Sequence, residues 1–304
     1  MRMTTRPKTT NAVLAGVALG LGMASIAFLA AVSQWRKRRV RQEWHWSGNA
    51  RRSGCACVTG ASSGIGLSFA KALAGTGHDL ILVARREEVL RSIATEIETR
   101  YGVSVEVINA DLTDMHDLER VAARLEVLDN LDVLVNNAGF GLPERFVSSD
   151  IDRQIDMVTL HATASMWLTR ASLPGMLARH HGAVINVSSV AAFFSLQRNV
   201  NYSATKAYLN VFTSSLHNEL RGSGVRVQAL CPGFTHTEFH SKFKNFRKNG
   251  LPEILWMNPD TVVTECLNAL ERDVVIYVPG FLNKLIVSLA RTGVLNSIAG
   301  RIMH

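Results

Sequence analysis

From residue 54 onward, short apolar runs alternate with helix-like stretches at regular intervals. The runs CACVT (55–59), DLILVA (79–84), VSVEVI (103–108), LDVLV (131–135), AVINVS (183–188), VRVQAL (225–230) and VVIYV (274–278) read as strands. Helical patterns separate them, and strands spaced by helices predict βαβ units. The expected architecture is α/β: a doubly wound parallel sheet covered on both faces, in a single domain over 54–304.

The pattern ahead of that domain is different. Ala12 to Val32 (AVLAGVALGLGMASIAFLAAV) is 21 residues without a charge, long enough to cross a bilayer as a helix. Trp35 and the run Arg36, Lys37, Arg38, Arg39 and Arg41 follow at once, whereas only Arg2, Arg6 and Lys8 precede it. Tryptophan suits the interface and clustered positive charge the cytoplasmic side. This order predicts a tail over 1–11, one transmembrane helix over 12–32, a basic juxtamembrane linker over 33–53, and a domain held on the cytoplasmic face of a membrane. A cleaved signal peptide is the competing reading, but it has a shorter apolar core and a small-x-small exit site. Gly16 and Gly20 stand in G-x-x-x-G spacing, which can support helix pairing.

Composition sharpens the picture. At 47% hydrophobic, the 304-residue chain can bury a sizeable core. Residues 1–53 hold ten Lys and Arg against Glu43, a balance of +9, which leaves the rest at −1 of the overall +8. The basic charge therefore belongs to the N-terminal segment, and a nucleic-acid partner, which needs a basic face on the domain itself, is not expected. Cys55, Cys57, Cys231 and Cys266 show no CxxC or Cys/His ligand spacing and read as reduced, buried thiols. His236 with His240, and His180 with His181, lack a third ligand, so no metal is expected.

Chemistry enters directly after the first strand, at TGASSGIG, Thr59 to Gly66. Gly60 permits the turn out of the strand, and Gly64 and Gly66 allow backbone and helix to approach a pyrophosphate, with Ser62, Ser63 and Ile65 between them. A glycine-rich loop in this place predicts a Rossmann-type dinucleotide domain. At the end of the second strand an acidic residue would accept the ribose hydroxyls of NAD, and an arginine would take the 2′-phosphate of NADP. The chain reads Ala84-Arg85-Arg86, with no carboxylate before Glu87, so Arg85 points to NADP(H) over NAD(H). Further on, NYSATKAYLN places Tyr202 and Lys206 four residues apart on a predicted helix, on one face. An ammonium beside a phenol lowers the phenol's pKa, which suits proton exchange with an alcohol or ketone.

In order and spacing, these motifs resemble the short-chain dehydrogenase/reductase superfamily over about residues 54 to 280. The resemblance implies a cofactor loop at Gly60, Ser62, Ser63, Gly64, Ile65 and Gly66, and an adenine contact at Asp111 with Leu112. It implies a segment beside the cofactor at Asn136, Asn137, Ala138 and Gly139, and a nicotinamide carboxamide loop at Pro232, Gly233, Thr235 and Thr237. Ser189, Tyr202 and Lys206 match the catalytic Ser and Y-x-x-x-K pair, with Tyr202 and Lys206 also holding cofactor. The implied reaction is hydride transfer between a nicotinamide and a carbonyl or carbinol carbon. Tyr202 is then the general acid or base, Lys206 its pKa-lowering neighbour, and Ser189 the hydrogen-bond partner of the substrate oxygen. One position departs: where the family has an Asn at a helix distortion, this chain has His161. A backbone role survives that change, a neutral-range imidazole can shuttle protons, and a merely packed histidine is the third reading.

Residues 238–260 fall where the family carries its variable substrate lid. Phe239, Phe243, Phe246, Leu251, Ile254, Leu255, Trp256 and Met257 are interspersed there with Lys242, Lys244, Arg247 and Lys248. Such a mixture suits a lipophilic substrate with an anionic head or a lipid surface, and equally a helix that covers the sheet. The tail, 281–304, is amphipathic, with Leu282, Leu285, Ile286 and Leu289 at helical spacing. The expectation is a membrane-anchored, NADP-dependent oxidoreductase on a 3-oxoacyl, sterol or similar compound, with a homodimer or homotetramer implied by the resemblance. A catalytically silent NADP-binding sensor or scaffold on the same fold is the alternative.

Overall fold

The computed structural model describes residues 54–241 and 252–291. The expected transmembrane segment 12–32, the linker and the last part of the tail lie outside the described residues, as do Lys242 to Leu251 of the expected lid. No described helix is long and apolar enough to cross a membrane.

Seven parallel strands form one sheet in the order β3-β2-β1-β4-β5-β6-β7. They are β1 (Cys55–Thr59), β2 (Asp79–Ala84), β3 (Val105–Asn109), β4 (Leu131–Asn136), β5 (Gly182–Val187), β6 (Val225–Leu230) and β7 (Ile276–Tyr277). The helices are α1 (Gly64–Gly75), α2 (Glu87–Tyr101), α3 (Met115–Glu126), α4 (Ile151–Val158), α5 (Ala164–Arg179), α6 (Val200–Glu219), the single turn α7 (Glu238–Ser241), α8 (Pro259–Glu271) and α9 (Phe281–Arg291). A π-helical turn, Thr159–Thr163, joins α4 to α5.

β1 and β5 are buried along their whole length, as strands covered on both faces must be. Leu118, Val121 and Leu125 of α3 and Leu168, Ala171 and Met176 of α5 pack into one cluster with Cys57, Ile81, Leu134 and Val184 of the sheet. All four cysteines are buried thiols. Burial pushes Cys55 up to about 12 and raises Cys57 and Cys266 as well, so these thiols stay protonated and inert.

Two strands start two residues later than the sequence expectation, for local reasons. Gly102 takes a left-handed φ of 70° to close α2, and Ser104 N–H is drawn to Asp79 Oδ1 at 2.8 Å, so pairing starts only at Val105. At the far edge Asp273 has φ 56° and Val274 N–H still bonds Ala269 O at 3.1 Å. Residues 274 and 275 therefore belong to the exit of α8, and β7 keeps two residues.

Strand order reverses between β1 and β4. In such sheets the crevice at the carboxyl ends beside the reversal receives the ligand. Thr59, Asn136, Val187 and Leu230 are the last residues of the four central strands, and the glycine loop, Asn137, Ser189 and the Pro232 loop follow them.

Candidate active site

The loop after β1 is shaped by contacts that leave no room for a Cβ. Gly60 adopts φ 65°, and a Cβ there would stand 2.9 Å from Ala138 Cα and 2.8 Å from Asn137 Nδ2. A Cβ on Gly66 would collide with the Gly60 carbonyl, and one on Gly64 would stand 2.9 Å from Thr237 Cγ2. Ser63 caps α1 without a side-chain hydrogen bond, so the first amides of that helix face the loop. Thr59, not singled out by sequence, locks the loop's other wall. Its Oγ1 accepts Asn137 N–H at 2.9 Å and Ala138 N–H at 3.0 Å, while Asn137 Nδ2 donates to Thr59 O at 2.8 Å. This glycine cradle at a helix start, opposite Thr237, fits a dinucleotide pyrophosphate. A cleft of about 640 Å³ lies beside it, lined by Ser62, Ser63, Gly64, Lys71, Thr237 and Glu238; Tyr202 is not among its lining residues.

At the end of β2 the two arginines diverge. Arg85 Nη1 donates to Asp111 Oδ2 at 3.3 Å. Arg86 reaches back over the loop, with Nε and Nη2 donating to Ser62 Oγ at 3.2 and 3.0 Å and Nη2 to Ser62 O at 3.1 Å. Its Nη1 faces Glu238 Oε2 at 3.3 Å. Sequence reasoning chose Arg85 and missed Arg86; the doubled arginine was the available signal. Burial raises the Asp111 carboxyl, but two hydrogen bonds from Thr113 and the nearby Arg85 outweigh it and hold the group below the usual range. Leu112 is 4% exposed and packs into the core.

Behind the crevice Asn136 Nδ2 lies 2.9 Å from Asn186 Oδ1 and 3.1 Å from Thr169 Oγ1, and Asn186 Nδ2 donates to Thr213 Oγ1 at 2.9 Å. These bonds tie β4 and β5 to α5 and α6. The end of β5 is bolted to α6 twice more: Ser188 Oγ donates to Lys206 O at 2.9 Å, and Lys206 Nζ to Val187 O at 2.8 Å. Ser189 is 9% exposed, its Oγ accepts Ala191 N–H at 3.1 Å, and its hydroxyl favours the ionised form of the Tyr202 phenol. The three residues expected to act together are therefore brought together, with Lys206 Nζ 5.7 Å from the Tyr202 ring centroid.

Burial dominates the protonation of these two groups. Burial pushes the Tyr202 phenol up to about 12, only partly offset by its bond to Ser189. Burial also pulls the Lys206 ammonium down to about 7, against the opposing pull of the Cys231 sulfur. Burial thus leads for both groups, raising the phenol and lowering the ammonium. The depressed Lys206 value has a sign that can be checked. Between pH 7 and about 10.5 the unfolded chain binds the extra proton, so stability should rise with pH over that window. The urea midpoint of Lys206→Met should lack that rise.

His161 sits in the middle of the π-helical turn, 1% exposed. Its Nε2 accepts Phe140 N–H at 3.2 Å, which places the proton on Nδ1, 2.9 Å from Thr205 Oγ1. Thr205 in turn donates to Tyr202 O at 3.0 Å. Burial first, and then Lys206, hold the imidazole well below its usual pKa, hence neutral. Both nitrogens are committed to tethers, and Phe140 and Thr205 are partners that sequence did not reveal. Gly139 makes room, since a Cβ there would stand 2.8 Å from His161 Nε2 and 3.6 Å from Lys206 Nζ.

The loop after β6 closes the far side. Pro232 O accepts Val190 N–H at 3.0 Å, and a Cβ on Gly233 would collide with Asn283. Thr235 is 3% exposed and donates to Gly233 O at 3.1 Å; Thr237 Oγ1 accepts Phe239 N–H at 3.3 Å. Thr235 bridges Met257, while Trp256 packs on Phe234 and His236 with ring centroids 5.4 and 5.1 Å apart. Trp256, 8% exposed, thus clamps this loop, while Ile254 is 74% exposed. Of the described lid aromatics, Phe239 reaches the Tyr202 ring, with centroids 5.9 Å apart.

A glycine cradle and a Ser-Tyr-Lys group, on a parallel sheet at its strand reversal, define an oxidoreductase acting on CH–OH groups. Known proteins agree with that class. The short chain dehydrogenase family matches residues 54–248, and the chain belongs to that family. It is 39% identical over 188 residues to a very-long-chain 3-oxoacyl-CoA reductase of Anas platyrhynchos, a match spanning 60% of each chain and so under two thirds of that relative. The protein of the same name from Bos taurus is 34% identical over 232 residues, 74% of each chain. A short-chain dehydrogenase from Sphingobium yanoikuyae, solved in complex with NADPH, has a TM-score of 0.72 at 33% identity, covering 80% of this chain and 95% of that one.

Proposed function

We propose that the protein is an NADP(H)-dependent reductase that interconverts a ketone and a secondary alcohol on a lipophilic, long-chain 3-oxoacyl-type substrate. The observation that carries this reading is the junction of Ser189, Tyr202 and Lys206 at the end of β5, with Ser189 and Lys206 buried. A nicotinamide cofactor, when bound, supplies or accepts the hydride. Gly60, Ser62, Gly64, Gly66 and the α1 amides would hold its pyrophosphate, Asn137 to Gly139 and Pro232 to Thr237 would flank it, and Arg85 with Arg86 would take a 2′-phosphate. Ser189 orients the substrate oxygen and Tyr202 delivers the proton. Protonated at neutral pH, Tyr202 is ready for the reductive direction. His161 acts as a tether between the Phe140 segment and α6 rather than as a proton carrier, because both its nitrogens are engaged.

The reading extends to the membrane and to assembly. The uncharged segment 12–32 with its basic flank supports an anchor, as does the Phe281, Leu285 and Leu289 stripe exposed on α9. Ile151, Ile155 and Val158 of α4 and Tyr208 and Val211 of α6 are exposed apolar residues on helices flanking the site, which supports a second copy packing there.

Turnover tests the proposal. Purified protein with NADPH should consume long-chain 3-oxoacyl thioesters, with a kcat pH profile that His161→Asn leaves in place. NADPH binding without turnover on any lipophilic 3-oxo compound would instead identify a sensor, and a shifted His161→Asn profile would put the imidazole on the proton path.

A further inference from the structure

We propose that Glu238 is a built-in rival of the 2′-phosphate for Arg86, and that it sets how strongly this protein prefers a phosphorylated dinucleotide. The inference rests on the NADP(H) reading above and goes beyond it, because it concerns a residue of the segment after β6 rather than the phosphate site itself.

Arg86 spends Nε and Nη2 on Ser62, which fixes the guanidinium over the glycine loop. Its remaining edge, Nη1, faces the Glu238 carboxylate at 3.3 Å. Arg85 is matched in the same way by Asp111 at 3.3 Å, and Lys71 by Glu96 at 2.8 Å. An incoming phosphate therefore meets cations that already have carboxylates beside them, and it must exchange with one.

The two candidates for exchange differ. Asp111 is pinned by Thr113 N–H at 3.0 Å and Thr113 Oγ1 at 2.8 Å. Glu238 opens the one-turn helix α7, and its side chain is 53% exposed. Ion pairs that exposed are weak and yield to a better anion. A phosphate dianion is that anion, since it accepts from a guanidinium in bidentate fashion. While Glu238 keeps its charge it also repels the arriving phosphate. The penalty falls only on dinucleotides that carry the 2′-phosphate. The next residue, Phe239, lies 5.9 Å from the Tyr202 ring, so the phosphate end and the reaction centre share one helical turn.

The test is calorimetric titration of the full chain with NADPH, NADH and 2′,5′-ADP, for wild type, Glu238→Gln, Arg86→Ala and the double variant. Glu238→Gln should tighten NADPH and 2′,5′-ADP about fivefold, the equivalent of the ~1 kcal/mol upper range for an exposed pair. NADH should be unchanged. In the Arg86→Ala background the same substitution should leave NADPH binding where it was. Equal tightening of NADPH and NADH, no tightening of either, or tightening that persists without Arg86 would each overturn the proposal. A wild-type protein that binds NADH but neither NADPH nor 2′,5′-ADP would instead refute the phosphate reading beneath it.

Discussion

Tyr202→Phe should reduce turnover of a confirmed 3-oxo substrate by about 10²- to 10⁴-fold, the range that a positioned general acid supplies. The loss should fall on kcat. The ring packs between His161, at 5.7 Å, and Phe239, at 5.9 Å, and phenylalanine keeps both contacts. What disappears is the hydroxyl bonded to Ser189 and the proton it holds. The thermal midpoint should therefore move little, which separates a chemical defect from a folding one. A variant that reduced the ketone as fast as wild type would remove Tyr202 from the reaction and require another proton donor.

Gly66→Val should abolish dinucleotide binding and cost stability on the order of 1–3 kcal/mol, the usual penalty for forcing atoms into a packed site. A Cβ at Gly66 would stand 2.9 Å from the Gly60 carbonyl carbon and closer still to its oxygen and to Asn137 Nδ2. Backbone lies on one side. On the other is an amide that Thr59 O and Gly60 O already hold at 2.8 and 3.3 Å. Neither can swing aside, so α1 must back away from the loop it is meant to complete. Titration with NADPH beside a urea melt measures both losses. Undiminished affinity would mean that the cradle does not hold the pyrophosphate.

The parts legible in the sequence were those encoded locally. Strands β1, β2 and β6 match their apolar runs residue for residue, because buried parallel strands are written as continuous aliphatic stretches. The glycine loop and the Tyr202–Lys206 pair were visible because their spacing is set by a turn and a helix. What stayed hidden depended on partners distant in the chain. Nothing in Ala84-Arg85-Arg86 says which guanidinium turns back onto Ser62, 24 residues earlier. His161 was ambiguous until Phe140 and Thr205 were seen on either side of its ring. Neither could charge proximity alone give the protonation of Tyr202 and Lys206, since burial decides it and burial is a property of the fold.

The way Thr235 and Met257 meet has an engineering consequence. The reacting groups are riveted into α6 and β5 by polar bonds in the interior, whereas Thr235 and Met257 meet at an isolated backbone bridge, closed by Trp256 like a clasp. Substitutions in the described residues 252–255, outside that clasp, should therefore leave the polar bonds of the proton-handling core as they are.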